Sequence, residues 1–226
     1  MFSVTDSTHN TDVERLLLDT ARFTASNSRL FIFAVTWLAH YGDYVARHRL
    51  ARLILHELQS QHRPTMGLIL EMALEKSDRR SAHFNQSIQV CGHTIDHRPL
   101  FDIDQRSEFS RNRAKETACA LSIKWGRWLE DFELKNDALR PASWIVAHNH
   151  SIRERADLKG DLRASILAEL HANPAAGASE SELTQACGAT RTAIRAALRR
   201  LELSDRIRRR HFGNRITIHR IDRHAA

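Results

Sequence analysis

Arg191, Arg195 and Arg199 recur every four residues with Thr192 beside them, a spacing that sets the three guanidinium groups on one helical face. A guanidinium offers a fixed charge and a planar fork of N–H donors, which matches phosphate oxygens and the acceptor edge of guanine. Like charges at this spacing repel one another by about 0.2–0.5 kcal/mol per pair, a cost that an anion from outside the helix, such as a phosphate backbone, would offset. Arg208, Arg210 and Arg215 follow in a stretch of alternating residues. The chemistry on offer is the binding of a polyanion. Its location is sharply defined: from Thr190 to Ala226 there are eleven arginines, no lysine and three acids, a balance of +8. The whole chain of 226 residues carries +7, so everything before Thr190 sums to −1.

Other residues with chemical potential are less well arranged. Cys91-x-His93, with His97 and Cys119, brings thiol and imidazole together, but the spacing fits no zinc pattern, and fourteen histidines make chance neighbours common. Asp96, Asp102 and Asp104 could hold metal ions for phosphodiester chemistry. No glycine-rich phosphate loop, GxSxG elbow or HExxH accompanies them, and they read as loop acids. Trp125, Trp128, Phe132 and Trp144 could line a ligand pocket, although helical spacing favours packing in a core or a dimer. No catalytic residue, metal ligand or cofactor is assigned. Three cysteines, odd in number and without a CxxC, imply free thiols and a reducing cytoplasm. The N-terminus shows no signal peptide, and the longest apolar stretch, 30–39, is about half of what a membrane span needs.

The elements that must position these residues are mainly α-helical. Apolar residues at helical spacing predict a helix over 13–23, then three more, over 30–41, over 44–60 and opening at Pro64, whose short turns suggest an antiparallel stack. Residues 87–91 alternate like a short strand, 111–134 return to helical spacing, and Trp144 to Ala147 form a short apolar piece. A polar run ending at Gly160 marks a boundary. The expected organisation is an N-terminal helical domain over 1–150 that dimerises or senses a partner, a linker over 151–160, and a C-terminal domain over 161–226.

The C-terminal domain has the most specific signals. Asp161 can cap a helix with Leu162, Ile166, Leu167 and Leu170 inside, and Asn173-Pro174 ends it. Ser179 and Glu182 form a capping box for a short helix that Gly188 stops. Thr190 caps a third helix with Ile194, Ala197, Leu198 and Leu201 inside, opposite the arginine face. Residues 206–212, a Gly213-Asn214 turn and residues 215–221 read as a β-hairpin.

Three helices followed by a basic hairpin resemble the winged helix-turn-helix of bacterial transcription regulators. The resemblance covers 161–222, under a third of the chain. It implies that the helix from Thr190 to Glu202 lies in the major groove of double-stranded DNA and that the hairpin is the wing. Thr190, Arg191, Thr192, Arg195 and Arg199 are then groove contacts, and Arg208, Arg210 and Arg215 phosphate or minor-groove contacts. The helix-to-wing turn often carries glycine in such domains, and here it is Ser204-Asp205. The preceding residues, Asn149-x-x-Ile152-Arg153-x-Arg155-Ala156, Gly160 and Leu162-Arg163-Ala164-x-Ile166-Leu167, look like the lead-in of winged-helix proteins from toxin–antitoxin or phage-defence loci. The expectation is a cytoplasmic, homodimeric, non-enzymatic repressor of its own operon. A second reading is an antitoxin or adaptor whose N-terminal domain binds a partner protein, and a third is a metal-dependent nucleic-acid enzyme using 91–104.

Overall fold

The computed structural model describes residues 12–77, 83–213 and 215–221, the side chains at 150, 151, 154, 212 and 215 excepted. The chain is mainly α and divides into two compact units. One comprises Val13–Gly42 and Leu53–Ala142, the other Asp12, Asp43–Arg52 and the residues from Ser143 onward. No helix among the described residues is long and apolar enough to cross a membrane.

In the first unit, α1 (Val13–Phe23), α2 (Ser28–Tyr41) and the end of α3 (Arg47–Glu57) precede α4 (Arg63–Glu75). The sequence predicts these helices, with Pro64 in the first turn of α4 as its fixed φ favours. α4 is the centre of the unit, buried from Pro64 through Leu70 and again at Met72 and Ala73. Gly67 lets Trp125 lie directly on this helix: a Cβ there would stand 2.2 Å from the indole Cη2. The indole Nε1 donates to Glu71 Oε2 at 2.7 Å, satisfying the ring's polar atom in the core.

Within this unit, beyond α4, the sequence expectations fail in two places. Residues 87–91, expected as a strand, lie in α5 (Asn85–Cys91), where Ser87 and Cys91 are buried one helical turn apart. The apolar alternation was too short to distinguish the two periods. After β1 (Arg98–Pro99), α6 (Asp102–Gln105) and α7 (Glu108–Glu116), the helix expected over 111–134 stops. It resumes only as α8 (Ala120–Lys124), then reverses at Gly126, whose φ of +62° suits glycine, into β2 (Arg127–Trp128). Cys119 N donates to Leu129 O at 2.9 Å, so the chain doubles back where helical spacing predicted continuity. β2 pairs in parallel with β1, Arg98 opposite Arg127 and Pro99 opposite Trp128.

In the second unit, α9 (Ala142–His148) leads to α10 (His150–Leu158), α11 (Leu162–Ala172), α12 (Glu180–Cys187), α13 (Arg191–Leu203), β3 (Ile207–Phe212) and β4 (Arg215–Arg220). The expected linker over 151–160 is instead mostly α10, capped by Asn149, whose Oδ1 accepts from Ile152 N at 3.1 Å. Ile152 and Arg155, three residues apart, are both buried. The expected boundary at 150 also moves, because Asp43–Arg52 belongs to this unit. Lys159 and Gly160 both take left-handed φ values, +45° and +62°, and turn the chain into α11. Arg206 Nη2 donates to Asp157 at 3.1 Å, tying α10 to the foot of the hairpin. A polar composition concealed this helix, whose buried side chains among the described ones are Ile152 and Arg155.

The core of this unit gathers Ile166, Leu167 and Leu170 from α11, Leu183, Ala186 and Cys187 from α12, Ile194, Ala197, Leu198 and Leu201 from α13, and Ile207 and Ile218 from the hairpin. Gly177, in the turn between α11 and α12, admits β4 closely: a Cβ there would stand 2.1 Å from Ile218 O. Strands β3 and β4 pair antiparallel from Ile207 opposite Arg220 to Phe212 opposite Arg215, with Gly213 at φ +58° where β3 ends.

Candidate nucleic-acid interface

Helices α11, α12 and α13 each begin at the capping residue that the sequence supplies. Asp161 accepts from Arg163 N at 2.8 Å and Ala164 N at 3.4 Å, Ser179 Oγ from Glu182 N at 3.1 Å, and Thr190 Oγ1 from Ala193 N at 3.3 Å. Thr190 thus spends its hydroxyl on the backbone of α13. With Ile194, Ala197, Leu198 and Leu201 buried, Arg191, Thr192, Arg195 and Arg199 are left exposed. The hydrophobic stripe fixes the rotation of the helix, and that rotation presents the arginine face to solvent.

The turn from α13 to β3 achieves without glycine what glycine usually does. Asp205 adopts φ +55°, Asp205 N donates to Glu202 O at 3.0 Å, and Arg206 N donates to Leu201 O at 2.9 Å. This is a Schellman closure with aspartate in the left-handed position. The hairpin then alternates: Ile207 and Ile218 face the core, while Arg208, Arg210 and His219 are exposed. Register sets Arg208 opposite His219 and Arg210 opposite Thr217. Arg215 is placed by its backbone opposite Phe212, and its side chain lies outside the described ones.

The arginines sort into two groups that sequence reasoning did not separate. Arg195 Nε donates to Glu180 Oε2 at 2.8 Å, across from the first turn of α12. Arg209 pairs with Glu202, and its guanidinium holds the Glu202 carboxyl below the usual carboxylate range. Arg191, Arg199, Arg200, Arg208 and Arg210 have no carboxylate partner among the described residues. Glu180 lies fifteen residues from Arg195 in sequence, and no helical or strand period links them.

A second charged group lies inside this unit. Arg49, 1 % exposed, donates from both Nη atoms to Asp12, at 2.6 and 2.7 Å, and from Nε to Glu169 Oε2 at 3.1 Å. Arg52 Nη2 donates to the same Glu169 oxygen at 3.1 Å. Glu169 is buried in α11, on a helix whose spacing gave no sign of an internal carboxylate. Nearby Cys187 is buried, and desolvation with the Glu169 charge pushes its thiol up to about 12. It is held as the unreactive thiol.

The residues set aside in the other unit have structural partners. Cys91 is buried, donates to Ser87 O at 3.2 Å, and has its thiol pushed up to about 12 by desolvation. Among the described residues no group of three His, Cys, Asp or Glu side chains could hold a metal ion. Asp96 meets Arg98 at 3.6 Å, whereas Asp102 and Asp104 begin α6. Trp125 is core, Phe132 packs edge-on against Phe31 with centroids 5.8 Å apart, and Trp144 belongs to the other unit, stacked on His148. Arg127, which sequence reasoning passed over, is buried and donates to the carbonyls of Asp96 and Gly126 at 2.6 and 2.7 Å.

Comparison with protein-family models, curated proteins and solved structures finds no match for this chain.

Proposed function

We propose that residues 161–226 form a winged helix-turn-helix that binds double-stranded DNA, with α13 in the major groove and the β3–β4 hairpin as the wing. The chain acts as a cytoplasmic, sequence-specific transcription regulator, a homodimeric repressor of its own operon. The observation that carries this reading is the concentration, on two adjoining elements, of exposed arginines without acidic partners among the described residues: Arg191, Arg199 and Arg200 on α13, and Arg208 and Arg210 on the hairpin. Five cations kept on the surface without local compensation are suited to a phosphate backbone. The dimer follows from the way groove-reading helices pair on symmetric half-sites.

The test is titration of the full-length protein against random-sequence duplex DNA across a salt series. Binding should weaken with a log–log slope of about −0.9 per phosphate neutralised. Replacing Arg199, Arg208 and Arg210 together by alanine should make the slope shallower by about 3 per copy bound, on the rule of one unit per phosphate contact. An unchanged slope, or no binding to duplex, would falsify the reading.

A further inference from the structure

We propose that Glu180 is a positioning residue that presents Arg195 to guanine, so that Arg195 reads sequence while the arginines without acidic partners hold phosphate. This inference rests on the DNA-binding reading and assigns separate tasks within it. Glu180 Oε2 accepts from Arg195 Nε at 2.8 Å, with the Glu180 side chain 13 % exposed and that of Arg195 55 % exposed. The carboxylate sits in the first turn of α12, where the helix dipole favours a negative charge.

Three physical consequences follow. With Nε engaged, the end-on pair Nη1 and Nη2 is left, and among the described residues it has no other partner. That pair has the fork geometry that fits guanine O6 and N7. The bridge also orders a flexible side chain before binding, which lowers the entropic cost of the contact. Finally, a phosphate approaching Arg195 would also face the Glu180 carboxylate, whereas a neutral base edge would not. The same geometry therefore favours base over backbone. Arg191 and Arg199, on the same helix without such a carboxylate, have neither constraint.

The experiment selects duplexes from a random library with full-length protein, then measures affinity and salt slope with each enriched G·C pair replaced by A·T. Arg195→Ala and Arg195→Lys should both abolish the preference for G·C at one position per half-site, a loss of roughly 5- to 150-fold in discrimination. Arg195→Lys keeps the charge and lacks the fork, so it tests the geometry even if the alanine variant is unstable. Both should leave the salt slope unchanged. Arg199→Ala should do the reverse, preserving the preference and making the slope shallower by about 1 per copy bound. Glu180→Gln keeps a hydrogen-bond acceptor and should retain the preference while tightening binding to every sequence. Glu180→Ala should erode the preference and steepen the slope. A shallower slope with intact base preference in Arg195→Ala would overturn the inference. Binding of the library with no sequence enriched would also overturn it and leave DNA binding standing, whereas no binding at all would remove both.

Discussion

Replacing Glu169 by alanine tests whether the internal charge cluster holds the C-terminal unit together. Glu169 accepts two hydrogen bonds from cations, Arg49 Nε and Arg52 Nη2, both at 3.1 Å, and its side chain is 3 % exposed. Arg49 keeps its two bonds to Asp12 after the substitution, but Arg52, 17 % exposed at its side chain, loses its carboxylate. Charge-assisted bonds contribute about 1.5–3 kcal/mol each, and breaking a buried pair from one side costs about 3–5 kcal/mol. Since Arg49 remains paired, the lower end applies, about 3 kcal/mol. Hydrogen exchange followed by mass spectrometry on full-length protein reads this region directly. Protection of the α11 and α13 amides should fall on the order of 100-fold at 1.36 kcal/mol per decade. Glu169→Gln, which keeps an acceptor and loses the charge, should fall between wild type and alanine. Protection within about threefold of wild type in Glu169→Ala would refute the assignment of this cluster as a stabilising element.

Three further outcomes follow from the same geometry. Gly177→Ala would put a methyl 2.1 Å from Ile218 O and should destabilise the unit by about 1–3 kcal/mol, lowering its thermal midpoint and disturbing hairpin amides in NMR spectra. Asp205→Gly should raise stability by about 0.5 kcal/mol by relieving the left-handed φ of +55°, and Asp205→Val should lower it by about 1–2 kcal/mol, both read by thermal unfolding. Arg209 holds the Glu202 carboxyl below its usual 4.5, so the pair's stabilisation is present above that value and is lost as pH falls through the folded-state value. Carboxyl NMR titration should show Glu202 titrating at higher pH once Arg209 is replaced by alanine.

Much of the C-terminal fold was legible because its signals act within one turn of chain. Asp161, Ser179 and Thr190 cap amides two or three residues away, and Ile194, Ala197, Leu198 and Leu201 bury the stripe that their spacing predicts. The same local rules misread 87–91, 111–134 and 151–160, where a short period or a polar composition carried too little information against the packing of distant residues.

By itself the sequence determined where the positive charge lies and which side of α13 carries it, since both depend on composition and a 3.6-residue period. Only the tertiary structure decided which arginines have acidic partners. Glu180 meets Arg195 across fifteen positions and Glu169 meets Arg49 across 120, separations at which no periodicity relates two residues. Gly67 under Trp125 and Gly177 under Ile218 are of the same kind: nothing in their neighbours announces that another segment must approach so closely. Charge pattern is written along the chain, whereas charge pairing depends on how the chain packs.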